Sequence, residues 1–347
     1  MYSLTSFHGI QISEDLKNIL VENSNNSVAQ STWGAYRTAH KKLLSFARDT
    51  GHRINFPLSA NTTLAFAAWV LSTGVTASTV ETYLSGIRMA HLTLGMDPPQ
   101  LRTPLVSAVI QGRKNRDNMA KRSGQPPARL PITPDLLKLM KLDLAKSSMK
   151  NPDKKMIWAA AAIAFAGGLR GGEFLCKEKS SFDPTTMLRE KDMALDSFII
   201  KGEKTEILKI KLKAEKQNKS ASVTIVDIYP SDSSICPVRA YKKWTASKTF
   251  INPRLPAFRF ENGENLTLTS FNKILKSIFS KHLVGINGYI TSHSFRIGLG
   301  SMLGSLGFAD EQVMAAGRWS SRAFTSYLKL PRTRRLEMAR AISNIST

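Results

Sequence analysis

Apolar residues recur every three or four positions through the first third of the chain, the spacing of one helix face. Ser27 to Thr50 carries Trp33, Tyr36, Leu43, Leu44 and Phe46 in this way. Thr62 to Ser72 places Leu64, Phe66, Ala67, Trp69, Val70 and Leu71, and Gly74 offers a C-cap. Thr76 to Leu94 repeats the pattern with Val80, Tyr83, Leu84, Ile87 and His91, ending at Gly95. Pro98 and Pro99 break the chain before a further helix, expected from about Thr103 to Gln111. Four or five helices joined by short loops predict a compact bundle.

From Leu130 the pattern changes twice. Helices are predicted at Pro134 to Lys146 and at Pro152 to Gly168. The run Ile157 to Leu169 is apolar on every side, which predicts a buried helix, and it is too short to cross a bilayer. A period near two then appears in Ser197 to Lys201, Glu206 to Lys213 and Ala221 to Ile228, predicting strands. Helical spacing returns at Pro237 to Lys248, Leu268 to His282, Ser292 to Leu306, Asp310 to Gly317, Arg322 to Leu328 and Arg332 to Ser343. The expected fold is mainly α: an N-terminal helical bundle, then an α+β domain with one small antiparallel sheet.

Charge narrows the function. Lys and Arg number 49 against 26 Asp and Glu, a formal charge of +23, and such a chain binds polyanions. A ribosomal or chromatin protein would fit as well. The segment Gly112 to Arg129 is basic, with Arg113, Lys114, Arg116, Lys121, Arg122 and Arg129 against the single acid Asp117, and it contains Gly124, Pro126 and Pro127. It reads as a flexible linker, either crossing a DNA backbone or simply solvated. The resulting division is 1–116 for the bundle, 117–129 for the linker and 130–347 for the second domain. Cys176 and Cys236 form no CxxC pair, so neither a disulfide scaffold nor a zinc site is expected, and a reducing compartment is. Met1 to Ser6 lacks the basic and apolar regions of a secretory signal, and no membrane segment is expected.

Four clusters in the second domain suit a single phosphate. Arg170 follows an apolar helix in Gly167-Gly168-Leu169-Arg170-Gly171-Gly172-Glu173. A buried guanidinium needs a partner, and Glu173 supplies one; a plain salt bridge would look the same. His293 and Arg296 are three apart on a predicted helix, hence on one face. An imidazole beside a guanidinium suits a phosphoryl oxygen that gains charge. In Gly317-Arg318-Trp319-Ser320-Ser321, the Trp319 indole N–H is a donor on an apolar body, though a core tryptophan would read alike. Tyr327, eight residues after Trp319, is one of seven tyrosines.

In their order these motifs resemble the tyrosine recombinase (phage-integrase-like) family. His-Ser-Phe-Arg-Ile-Gly and Gly-Arg-Trp-Ser-Ser-x-Ala-Phe-x-x-Tyr are most similar to its eukaryotic mobile-element branch, the Crypton and DIRS-type recombinases. The resemblance covers roughly Trp158 to Leu330. It implies that residues 1–116 are a core-binding domain and residues 130–347 the catalytic domain. It implies Tyr327 as nucleophile, Arg170 and Arg296 as a phosphate clamp, and His293 and Trp319 as their companions. A hairpin lysine is implied as general acid; the turn before Val223 favours Lys216, with Lys219 and Lys213 as alternatives. No cofactor or metal is implied. The expected partner is double-stranded DNA, bound by a dimer per site and a tetramer at synapsis. Arg113, Lys114, Arg116, Lys121, Arg122 and Arg318 are candidate DNA contacts. The C-terminal helix, Leu336 to Ile345, would dock on a neighbouring subunit or on its own domain. A nuclear location follows if the chain serves a eukaryotic element. The rival expectations are a type IB topoisomerase and a recombinase-derived DNA-binding protein without catalysis.

Overall fold

The structure is a computed structural model. It describes residues 27–321 apart from 29, 95, 99–100, 124–126, 201, 214–222 and 249–251, together with residue 325 and 13, 15, 16, 18, 19, 22 and 23. Tyr327, Lys216, Lys219 and both predicted helices beyond residue 321 therefore lie outside the described residues, apart from Thr325. The chain divides into two compact units, Met1–Gln125 and Pro126–Thr347.

The first unit contains α1 (Gln30–Thr50), α2 (Ala60–Ser72), α3 (Ala77–Thr93) and α4 (Pro104–Ser123). Ser59 and Thr76 cap α2 and α3, each hydroxyl accepting from the backbone N–H three residues on. Phe46, Phe66, Val70, Val80, Leu84 and Ile87 are buried in its core. One expectation is corrected here. The fourth helix does not stop near Gln111 but runs to Ser123, so residues 112–123 of the supposed flexible linker are helical. The cause is anchoring. Arg113 bonds to Asp117 at 2.6 Å and to the Leu71 carbonyl at 3.1 Å, and Lys114 pairs with Glu81 at 2.9 Å. These side chains tie the helix to its own unit.

The second unit is built around α6 (Asn151–Ala166). Met156, Ile157 and every residue from Ala159 to Phe165 are buried, as expected of a helix apolar on all sides. Around it stand α5 (Pro134–Lys146), the short α7 (Gly171–Phe174), α8 (Pro237–Thr245), α9 (Leu268–Phe279), α10 (Ser292–Ser305) and α11 (Asp310–Gly317). The antiparallel sheet comprises β2 (Met193–Ile200), β3 (Glu203–Leu212) and β4 (Thr224–Ile228), with β3 in the middle. On β3, Leu208, Ile210 and Leu212 turn inward while Lys211 turns out, giving the period-two signal its physical basis. A second pairing had no sequence signal. The two-residue strands β1 (Ala128–Arg129) and β5 (Gly288–Tyr289) run parallel.

Candidate active site

The site forms where three chain turns meet: the end of α6, the first turns of α10 and the end of α11. After α6 the chain turns through Gly168, whose φ of +55° suits glycine. A Cβ there would stand 2.7 Å from Leu299 Cδ2. This turn delivers Arg170 to the start of α7. Glu173 accepts from the Arg170 backbone N–H at 2.8 Å and from its Nη1 at 2.8 Å, so one carboxylate fixes both ends of the residue.

Arg296 projects from α10 and is only 2% exposed. Burial of a guanidinium is costly unless its N–H groups are satisfied. Its Nη1 donates to the Gly168 carbonyl at 2.6 Å and its Nη2 to the Arg318 carbonyl at 3.2 Å. The Arg170 Nη2 reaches the same Arg318 carbonyl at 3.4 Å. Two guanidinium groups from distant parts of the sequence thus share one backbone acceptor. The Trp319 ring lies 4.5 Å from the Arg296 guanidinium carbon, a cation–π contact inside the protein.

Space for that ring is made by glycine. A Cβ on Gly317 would fall 1.6 Å from the Trp319 ring, and one on Gly300 would fall 3.2 Å away. Helix α10 is pressed equally hard on its other side, where a Cβ on Gly298 would meet the Ile132 carbonyl at 2.0 Å. Arg318, expected among the DNA contacts, has its side chain turned inward. Its Nη1 donates to the Gly167 carbonyl at 2.8 Å and its Nη2 to Glu173 at 3.0 Å, and the side chain is 12% exposed. It also adopts the left-handed conformation, φ 55° and ψ 48°, as it ends α11. That backbone turn aims its carbonyl at Arg170 and Arg296.

His293 is half-buried one turn before Arg296 on α10. Burial lowers its pKa, and the charges of Arg129, Arg296 and Arg170 lower it further. The imidazole is therefore neutral at pH 7 and able to accept a proton. The sequence placed Arg129 only in the basic linker, not in the site. The β1–β5 pairing sets it beside Tyr289, its guanidinium 5.8 Å from the ring, and within electrostatic reach of His293. No sequence pattern announces so short a pairing.

The structure thus brings together Arg170, Glu173, His293, Arg296, Arg318 and Trp319. Of the hairpin lysines only Lys213 lies among the described residues. It follows β3, pairs with Asp192 at 3.6 Å and donates to the Pro184 carbonyl. Its pKa is lowered mainly by burial, partly opposed by Asp192. Arg113, Lys114 and Arg116 belong to the other unit, where Arg116 is exposed. Lys121 and Arg122 lie on α4, and their side chains are outside the described residues.

The chain aligns over 99% of its length with the site-specific recombinase XerH bound to a palindromic difH substrate in a post-cleavage complex. The TM-score is 0.60 at 16% identity, with 93% of that chain covered. The fold is that of the tyrosine recombinases. The Tn1549 transposon integrase in complex with transposon right end DNA aligns over 92% of this chain and 96% of its own, with a TM-score of 0.55 at 13% identity. A lambda integrase dimer bound to a COC′ core site gives 0.52 at 13% identity over 94% of this chain and 83% of its own. No family model and no curated protein matches the sequence. Within this recombinase fold, α7, α10 and α11 carry the cluster just described. No helix among the described residues is long and apolar enough to cross a membrane.

Proposed function

We propose that the chain is a DNA strand transferase that cleaves and rejoins duplex DNA through a 3′-phosphotyrosine bond. The observation that carries this reading is the convergence of Arg170 and Arg296 on the single carbonyl of Arg318, beside the neutral His293. Two oriented guanidiniums match the non-bridging oxygens of a phosphodiester, and they meet charge that grows in the transition state. The order of the motifs along the chain supports the same reading, as does the recombinase fold shared with three DNA-bound structures.

In this mechanism the Tyr327 hydroxyl attacks the scissile phosphorus. The bond from the phenolic oxygen to phosphorus forms, and the bond to the 5′-oxygen breaks. His293 accepts the phenolic proton, and a hairpin lysine, first Lys216, with Lys219 and Lys213 as the other candidates, donates one to the departing 5′-oxygen. Trp319 holds Arg296 and keeps water from it. A second 5′-hydroxyl then attacks the phosphotyrosine and restores the diester, so bond energy is conserved. The N-terminal unit clasps the duplex, and the chains assemble as a dimer per site and a tetramer at synapsis. The biological setting is integration or excision of a mobile element, in the nucleus where the host is eukaryotic.

The test is a nicked suicide substrate carrying a duplex site selected from random sequences by binding. The expected result is a covalent protein–DNA adduct that forms with the wild type and is absent with Tyr327→Phe. Absence of an adduct on a site the protein demonstrably binds would overturn the enzyme reading. Site-independent relaxation of supercoiled plasmid would replace it with a type IB topoisomerase.

A further inference from the structure

A second basic cluster lies in the same unit but away from this site. A pocket of about 270 Å³ opens between α5, α6 and α8. It is lined by Lys141, Lys154, Lys155, Arg239 and Lys243, with Trp158 in its wall. The lining contains no carboxylate, and among the described residues none of these five cations is in an ion pair with an acidic side chain. Elsewhere the protein pairs Lys150, Lys242 and Lys248 from neighbouring positions with Glu261, Glu206 and Glu190. The pocket is therefore a concentration of uncompensated charge, not an average piece of a basic surface.

Three of its cations are also held in place. Lys141 donates to the Ser234 carbonyl at 2.6 Å, Lys154 to the Ala145 carbonyl at 3.0 Å, and Arg239 to the Ser233 and Ser231 carbonyls at 3.4 and 3.3 Å. Neutral carbonyls orient a cation without cancelling its charge. Lys141 further stands 5.6 Å from the centre of the half-buried Trp158 ring. Burial lowers the Lys141 pKa, and the nearby charges of Lys243 and Arg239 lower it further.

We propose that this pocket binds a nucleoside polyphosphate, with its phosphates among the lysines and its base against Trp158. The cations call for several negative charges in a small volume, and the indole calls for a flat ring. The volume lies just below the usual range of small-ligand sites, which begins at about 300 Å³, so the pocket takes one small ligand at most. A duplex backbone fits less well, because its phosphates run along a convex rail and it offers no unstacked ring. Trp158 lies eight residues before the end of α6, so a rise of 1.5 Å per residue sets it about 12 Å along the helix from the turn to Arg170. The pocket is thus separate from the proposed reaction centre, and its ligand does not depend on the strand-transfer reading.

The test is calorimetric titration of the full-length protein, without DNA, using ATP, inorganic tripolyphosphate and a short duplex of random sequence. ATP should bind saturably and more tightly than tripolyphosphate. The double variant Lys155→Glu/Lys243→Glu should weaken ATP by at least about tenfold, the scale of one lost charge-assisted contact. Trp158→Leu should remove the preference for ATP and leave tripolyphosphate binding as it was. Thermal melts of each variant establish that it is folded. Lys243 is exposed and Lys155 half-buried, and the double variant, once its melt shows it folded, decides the matter even if Trp158→Leu fails to fold. No saturable ATP binding, or equal affinity for ATP and tripolyphosphate in the wild type, overturns the proposal. So does binding of ATP that the charge reversals leave unchanged. Tyr327→Phe should bind ATP like the wild type, so failure here and failure of the strand-transfer reading are read on different assays.

Discussion

Glu173 shows how much one side chain organises. It accepts from the Arg170 backbone, from the Arg170 guanidinium and from Arg318, and it is 11% exposed. Replacing it with Gln keeps the shape and removes the carboxylate that both guanidiniums meet. One end of the new amide would also face N–H donors with its own N–H groups. Glu173→Gln should therefore lose about 2–3 kcal/mol of stability, the scale of breaking a partly buried, hydrogen-bonded ion pair. Urea unfolding measures this, and a loss under about 0.5 kcal/mol, the range of an ordinary surface substitution, would show that Arg170 and Arg318 find other partners. The sequence already paired Arg170 with Glu173 at three residues' separation. It did not disclose that Arg318 joins them or that the Arg318 carbonyl is the shared acceptor, because a backbone oxygen has no sequence signature. The left-handed Arg318 that aims it is a conformation most residues avoid.

At the scale of elements, strongly patterned stretches were legible and short ones were not. Helices α5 and α11 begin and end where Pro134, Lys146, Asp310 and Gly317 predict. The Pro-led start of α5 and the acidic first turn of α11 mark helix beginnings without help from the rest of the fold. The β1–β5 pairing, two residues long, is created by tertiary packing alone, and α4 outruns its apolar stripe because Arg113 and Lys114 find partners on other helices. That pairing has a consequence for α10. It sets Arg129 near His293, where burial, helped by the charges of Arg129, Arg296 and Arg170, keeps the imidazole pKa below its ordinary 6.5. A histidine whose pKa is lower when folded binds fewer protons than in the unfolded chain. Its contribution to stability is therefore complete above pH 6.5 and is lost as the pH falls through the folded value. Urea unfolding at pH 7.5 and pH 5.5 should show a smaller acid loss in His293→Asn than in the wild type. His40 and His91 are shifted the same way by burial, so the comparison must be between variant and wild type. Equal acid losses would mean that His293 is not held neutral by its surroundings.

Across the whole molecule, a formal charge of +23 makes the proposed DNA binding an ionic-strength problem. Each phosphate neutralised by a Lys or Arg releases counterions, giving a slope of about −0.9 per contact in log affinity against log salt. With six to ten contacts, affinity for duplex DNA should fall by about 10³ to 10⁵ between 50 and 200 mM salt. The individual residues should not behave alike, although the sequence put Arg113 and Arg116 in one basic run. Arg113 is spent inside its unit on Asp117 and the carbonyls of Leu71 and Gly74, whereas Arg116 is exposed on the same helix with no acidic side chain in an ion pair among the described residues. Arg113→Gln should thus lower the melting temperature and leave the salt slope nearly unchanged. Arg116→Gln should do the reverse, reducing the slope by about one with no loss of stability. Fluorescence anisotropy on a labelled duplex at five salt concentrations, paired with thermal melts, separates the two. If both substitutions shift the slope equally, α4 meets DNA along its whole length and the internal bonds of Arg113 do not survive binding. If neither shifts it, the phosphate contacts of this unit lie on another face, and the basic run at Gly112 to Arg129 serves stability and solubility instead.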